Sequence, residues 1–337
     1  MQTALENNRQ ARRRIHIRPN LTIMKGTIAD LKFIRYGDMV VPIIMGKDRK
    51  RVINSIVPQG LNQYVNNLVT VNNFANAVYS TNVFSISGWG SSPGNAIQLL
   101  NNGSVVQTLT PTIIPVLNGS TVIWVFIAND LSSASYTANQ INLLASVNNI
   151  ATLSSTPTIQ YSPAFNLATA TTSIVKQSGE SISFVWEIQL NLGSYALTDF
   201  IIGILYSIPT ANTTCTGHNV TQGTFGGVSR LAYYGPYYFS SITLQYIGGS
   251  ISANISSVTT SYDGTNTYLI FSASISLSSQ VTATSIVVNV SYEGGSIYFC
   301  INGQQLTSGS AIQIPYSAIV PSGTVTVTVT IEFSPAT

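Results

Sequence analysis

Thr324-Val-Thr-Val-Thr-Val-Thr-Ile-Glu-Phe333 alternates without a break. Val325, Val327, Val329, Ile331 and Phe333 point one way, and Thr324, Thr326, Thr328, Thr330 and Glu332 the other. A period of two in β-branched residues predicts an antiparallel strand with one face in a core. Ser181-Ile-Ser-Phe-Val-Trp-Glu-Ile-Gln-Leu190 has the same rhythm, with Ile182, Phe184, Trp186, Ile188 and Leu190 on one face. These two stretches set the reading of the whole chain as all-β.

Outward from them, short strand-like runs recur between turn residues. Over 57–208 the runs are 64–72, 78–87, 95–108, 120–129, 141–146, 157–161, 170–176, 181–191 and 198–207. The turns include Ser92-Pro-Gly-Asn95, Asn101-Asn-Gly-Ser104 and Asn118-Gly-Ser120, where Asn and Gly tolerate positive φ. This density predicts a jelly-roll β-sandwich. Residues 209–236 are polar and glycine-rich and read as a linker or long loop. Over 237–337 seven more runs follow, at 237–247, 251–260, 266–277, 283–292, 296–301, 310–319 and 324–333. They predict a second antiparallel sandwich, of jelly-roll or immunoglobulin-like type.

Charge divides the molecule differently. Arg9, Arg12, Arg13, Arg14, Arg18, Lys25, Lys32, Arg35, Lys47, Arg49, Lys50 and Arg51 are twelve of the fourteen basic residues. Against Glu6, Asp30, Asp38 and Asp48 they give the first 51 residues a net charge of about +8. The rest holds Lys176 and Arg230 against seven carboxylates, about −5. Residues 1–56 therefore read as a basic extended arm, partly strand, lying along a neighbour or along the base of its own body. Residues 3–14 have helix-forming composition, and Pro19 and Pro42 argue against central strands. The arm suits an anionic partner: nucleic acid, an anionic lipid surface, or an acidic patch on another subunit. Its only aromatics are Phe33 and Tyr36, too few for stacking on single-stranded bases.

Signals for chemistry are weak. His16 and His218 sit in no nucleophile motif. Cys215, His218 and Cys300 offer three ligands where a closed zinc site needs four. Glu180 and Glu187 fall on opposite faces of one strand, and Asp199 makes a cross-strand neighbour for Glu187 before it makes a catalytic dyad. No enzyme, metal or cofactor is expected. Cys215 and Cys300 are either two buried thiols or one disulfide. Asn102, Asn118, Asn212, Asn219 and Asn254 are glycosylation acceptors placed mostly in turns; Asn20 also has the acceptor pattern, and Asn289 is a poor one in mid-strand. No apolar run reaches the roughly 18 residues of a membrane span, and no secretory leader is visible. Seven carboxylates beyond Arg51 leave little to protonate, so stability is expected to depend weakly on pH.

The arm Arg12-Arg-Arg-Ile-His-Ile-Arg18, the two Ser/Thr/Val/Ile-rich β-domains and the scarcity of charge beyond Arg51 together resemble structural proteins of archaeal viruses, especially turreted icosahedral viruses of hot acidic springs. The resemblance spans the chain. It implies a virion component, penton base or turret, anchored inward by the arm with its β-domains facing outward. A double jelly-roll major capsid protein is the runner-up, and a cell-surface adhesin or pilus subunit the reading from another class. The implied partners are further copies of the chain, other capsid proteins, viral nucleic acid or an internal membrane through the arm, and the host surface through the outer domain. The implied location is the virion, assembled in the host cytoplasm; for the adhesin reading it is the cell surface.

Overall fold

A computed structural model describes residues 8–36, 39–73, 82–86, 94–118, 121–152, 158–191, 193, 222–225, 228–231, 237–292, 299–301, 304–306 and 309–336. Strands dominate the described residues, which include one α-helix. The expected all-β class is what forms.

The first described element is β1 (Asn8–Gly26), a 19-residue strand. After a 3-10 turn (Ile28–Asp30) come β2 (Leu31–Tyr36), β3 (Met39–Ile44), β4 (Asp48–Val52) and β5 (Asn54–Ile56). Helix α1 (Pro58–Leu68) leads into β6 (Val69–Asn73) and β7 (Asn82–Ile86). Next are β8 (Ala96–Asn101), β9 (Ser104–Leu109), β10 (Thr112–Asn118), β11 (Thr121–Asp130), β12 (Tyr136–Ala145), β13 (Asn148–Thr152), β14 (Thr158–Tyr161), β15 (Phe165–Lys176) and β16 (Ser181–Asn191). The remaining strands are β17 (Gln222–Phe225), β18 (Val228–Leu231), β19 (Tyr237–Tyr246), β20 (Gly249–Asn254), β21 (Ser257–Tyr262), β22 (Thr267–Leu277), β23 (Val281–Tyr292), β24 (Phe299–Ile301), β25 (Gln304–Leu306), β26 (Gly309–Val320) and β27 (Gly323–Pro335). Most predicted strands form near their expected limits. The β8–β9 hairpin turns on Asn102 and Gly103, both at positive φ, as a two-residue turn requires.

Two expectations of local structure fail, and Pro19, expected to keep its stretch out of a central strand, is a third. Residues 8–14 are strand, because Ala11, Ile15 and Ile17 alternate into the core and burial overrides helix propensity. Residues 64–68 are helix, because Leu61, Tyr64 and Val65 recur at helical spacing and are all buried. Pro58 opens that helix, where its missing N–H costs nothing. The run expected at 198–207 lies outside the described residues.

An eight-stranded sheet runs β10-β11-β16-β1-β27-β22-β21, with β4 also on β1. β1 is its centre. Its second half pairs antiparallel with β16, and its first half pairs parallel with β27. The register with β27 ends at Ile17 and that with β4 begins at Leu21. Pro19, which lacks an N–H, falls in the gap between them and so is tolerated inside a sheet.

One half of this sheet shares its core with the sheet β5-β15-β12-β8-β9. The other half faces β26-β23-β19-β7-β6, with β20 on β19. Phe239 of β19 meets Phe271 of β22 there at 4.6 Å between ring centroids. Trp124, Phe126, Phe184 and Trp186 fill the first core. A single apolar cluster runs through both.

Of residues 1–56, expected as an extended arm, the described part forms β1 to β5, and β1, β4 and β5 pair within the sheets of the body. Pairing in the first half is nested: β1 with β16, β5 with β15, β8 with β12, and β10 with β11. Nesting of this kind is found in jelly rolls, but here the second and third pairs share one sheet. Strands of the two expected domains meet in one sheet: β10, β11 and β16 of the first and β21, β22 and β27 of the second share the eight-stranded sheet, and β6 and β7 join the sheet of β19.

Candidate functional site: the basic outer face of the shared sheet

Strand alternation explains where the basic residues go. On β1 the inward positions are Ala11, Ile15, Ile17, Leu21 and Ile23, all buried. The intervening Arg12, Arg14, His16 and Arg18 are exposed on the opposite face. Two residues of strand set neighbouring members of this row about 7 Å apart. The row continues on β4, where the exposed Arg51 and Arg49 oppose Thr22 and Met24.

At one end the arginines meet a carboxylate. Glu332 of β27 opposes Arg14 and takes ion pairs from Arg12 at 2.6 Å and Arg14 at 2.8 Å. Its side chain is only 2% exposed. The Ser334 hydroxyl donates to it at 2.9 Å, and Arg12 also lies 5.3 Å from the Tyr268 ring centroid. Burial alone would raise the Glu332 carboxyl, but hydrogen bonds from Ser334, Arg14 and Arg12 outweigh it and hold the pKa below the usual range. Among the described residues, no carboxylate lies within ion-pair distance of Arg18, Arg49 or Arg51.

The ribbon β2–β3 covers the neighbouring part of the same face. Val41 and Ile43, with Ile34 and Tyr36, pack on Met24, Ile114, Val125, Ile127 and Val185. The Ile44 N–H donates to Ser183 Oγ at 2.7 Å, and Asn129 Nδ2 donates to the Pro42 carbonyl at 2.8 Å. Between ribbon and sheet lies a cleft of about 140 Å³ lined by Tyr36, Met45, Arg49, Arg51, Asn20 and Glu187. Glu187 accepts hydrogen bonds from Asn20 at 3.0 Å and Gln189 at 3.3 Å. Burial raises the Tyr36 hydroxyl pKa, Glu187 adds to the rise, and Arg49 opposes it. A second concavity, of about 400 Å³, is lined by His16, Arg18, Thr121, Gln189 and Asn191 with Pro335 and Ala336.

No family model matches the chain, and no curated protein or solved structure matches it either. The site is therefore read from its own chemistry. Guanidinium groups in a row, some without a carboxylate partner, bind phosphate or carboxylate through paired N–H donors.

The structure sorts the twelve basic residues. Arg12, Arg14, Arg18, Arg49 and Arg51 share the outer face, and Lys32 and Arg35 are exposed on β2, with Lys47 exposed before β4. Lys25 and Lys50 serve the fold instead. Lys25 donates to the Val175 carbonyl at 2.8 Å and pairs with Glu180 at 2.7 Å, while Lys50 donates to Thr172 Oγ1 at 2.7 Å. Arg13 is half-buried with its guanidinium against Gly193. Arg9 lies in β1 opposite Val327, and its side chain is outside the described residues.

Cys215 is also outside them, as is the Cys300 side chain in β24, so the disulfide expectation falls there too. Asn102, Asn118 and Asn254 are exposed at strand ends or turns, whereas Asn212 and Asn219 lie outside the described residues. Asn289 donates to Ser241 and Thr243 within the sheet. Among the described residues no group of three His, Cys, Asp or Glu side chains is placed to hold a metal.

Glu332, Glu187, Asn20 and Tyr268 carry no local signal that assigns them to this face. Arg12 and Glu332 are 320 residues apart, so nothing near either one marks the pair.

Proposed function

We propose that the chain is a structural subunit of a particle, a virion component of the penton, turret or shell kind, seated through the basic face of the shared sheet. One observation carries the reading: a body with few charges presents Arg12, Arg14, Arg18, Arg49 and Arg51, five of its fourteen basic residues, on one sheet face. Surfaces poor in charge pack against copies and neighbours without desolvating ions, while the basic face meets an anionic layer. The nested strand pairs support a jelly-roll-like first half, and the two facing sheets of the second support a further sandwich of jelly-roll or immunoglobulin-like type. Virion location, assembly with other capsid proteins and contact with a host surface belong to this proposal.

A second reading, a surface adhesin or pilus subunit, has its own support. The first half of β1 adds in parallel to β27, whose other pairing is antiparallel. Strand addition of that kind joins subunits when the added strand comes from a neighbour.

The test is the assembly mass of the full chain by light scattering at two salt concentrations. Closed rings or shells of defined mass support the particle subunit, and open fibres support strand exchange. Monomers at every concentration and salt would remove both.

A further inference from the structure

Eleven large hydrophobic side chains are exposed among the described residues, and five of them fall between residues 28 and 53: Ile28, Phe33, Val40, Met45 and Ile53. Scattered apolar residues need no explanation, but a cluster does. Phe33 is 71% exposed and Val40 59%. Phe33 opposes Pro42 and Arg35 opposes Val40, so alternation puts all four on the ribbon face turned away from the sheet. Ile28, in the preceding 3-10 turn, is 60% exposed. The ribbon is anchored through its other face and by the bonds to Ser183 and Asn129, so the patch faces outward.

Around it stand cations. Lys32, Arg35 and Lys47 are exposed, as are Arg49 and Arg51 beside the ribbon. The nearby described acids are Asp30, which already accepts hydrogen bonds from the Thr27 N–H at 2.8 Å and its hydroxyl at 3.0 Å, Asp48, which is exposed on β4, and Glu187, which lines the cleft with Arg49 and Arg51 and accepts from Asn20 and Gln189.

We infer that the β2–β3 ribbon docks on a bilayer surface carrying anionic phospholipid, with Phe33, Val40 and Ile28 entering the headgroup boundary and the surrounding lysines and arginines meeting lipid phosphates. Such a surface takes apolar side chains at shallow depth and basic groups just above them. A nucleic-acid duplex would use the cations but gives Phe33 and Val40 nothing to bury against. The inference rests on the same basic face as the assembly reading but not on assembly itself.

The experiment is co-sedimentation of the full chain with neutral phosphatidylcholine vesicles and with vesicles containing a third phosphatidylserine, at low and high salt. Wild type is expected to bind the anionic vesicles and release in part at high salt. Arg35→Gln with Arg49→Gln should weaken binding about fivefold per charge in low salt. Phe33→Ser with Val40→Ser, both outside the core, should weaken it several-fold at either salt while leaving the thermal midpoint unchanged. Unaltered binding by the serine variant overturns the inference. So does displacement of the protein from vesicles by duplex DNA at matched phosphate, which would make nucleic acid the partner. Defined assemblies that ignore vesicles would sink the docking inference and leave the particle reading standing.

Discussion

Glu332 and Asp130 show what single side chains do in a molecule with so few charges. Asp130 is buried, and burial would raise its carboxyl. The side-chain and backbone donors of Ser132, the Tyr136 hydroxyl and Gln107 reverse that and hold it low. Hydrogen bonds also depress Asp263, mainly from Tyr268; Glu180, mainly from Lys25; and Asp30, mainly from the Thr27 backbone. Each of these groups titrates lower in the folded chain than in the unfolded one. Their stabilisation is therefore fully present above the unfolded carboxylate range, about 4, and is lost as the pH falls through the depressed folded values. The urea midpoint should stay flat from pH 7 to about 5 and fall only below about 4. Glu332→Gln and Asp130→Asn should each shrink the acid limb; a midpoint already falling steeply at neutral pH would contradict this. Among the described residues Lys176 is a further buried charge. Its ammonium, fully inaccessible, donates to the Ser132 and Ala134 carbonyls at 2.5 and 2.9 Å and lies 3.9 Å from Asp130. Lys176→Ala strands those acceptors and should cost about 3–5 kcal/mol in chemical denaturation. A loss under about 1 kcal/mol, typical of an exposed pair, would show that water reaches the site.

Among the elements, α1 gives the sharpest case of context against propensity. Gly60 sits in its first turn, where Ala would normally be preferred by about 1 kcal/mol. A Cβ there would lie 1.9 Å from the Asn166 carbonyl oxygen of β15. The glycine lets the helix approach that strand closely enough to bury Leu61, Tyr64 and Val65. Gly60→Ala should therefore lower stability by about 1–3 kcal/mol through overpacking, read as a drop in melting temperature; a rise would mean that propensity wins. Leu61→Ala, at a fully buried position, should cost about 2–5 kcal/mol. The start of this helix shows how local signals compete. Pro58 and the spacing of Leu61, Tyr64 and Val65 favour a helix, while the run from Val65 to Val71 suits a strand equally well. Packing against β15 decides between them.

At the scale of the molecule, β1 is the joint. Its first half closes one core beside β27, and its second half closes the other beside β16. The intact protein should unfold in one calorimetric transition, and deleting residues 1–17 should lower its midpoint and expose the Val327, Val329 and Ile331 core to a hydrophobic dye. Two well-separated transitions in the intact chain would show that the halves fold independently. Local pattern was enough to read the all-β class, most strand positions, the turn at Asn102 and Gly103, and the concentration of basic residues up to Arg51. Those features depend on alternation, turn stereochemistry and composition, which act between near neighbours. Tertiary structure alone decided that the basic segment contributes a central strand, that Lys25 and Lys50 serve the fold while Arg18, Arg49 and Arg51 line the outer face, and that Glu332 meets Arg12 from 320 residues away. Pairing register and the choice of sheet edge depend on which surfaces remain to be buried once the whole chain has collapsed, and no local stretch carries that information.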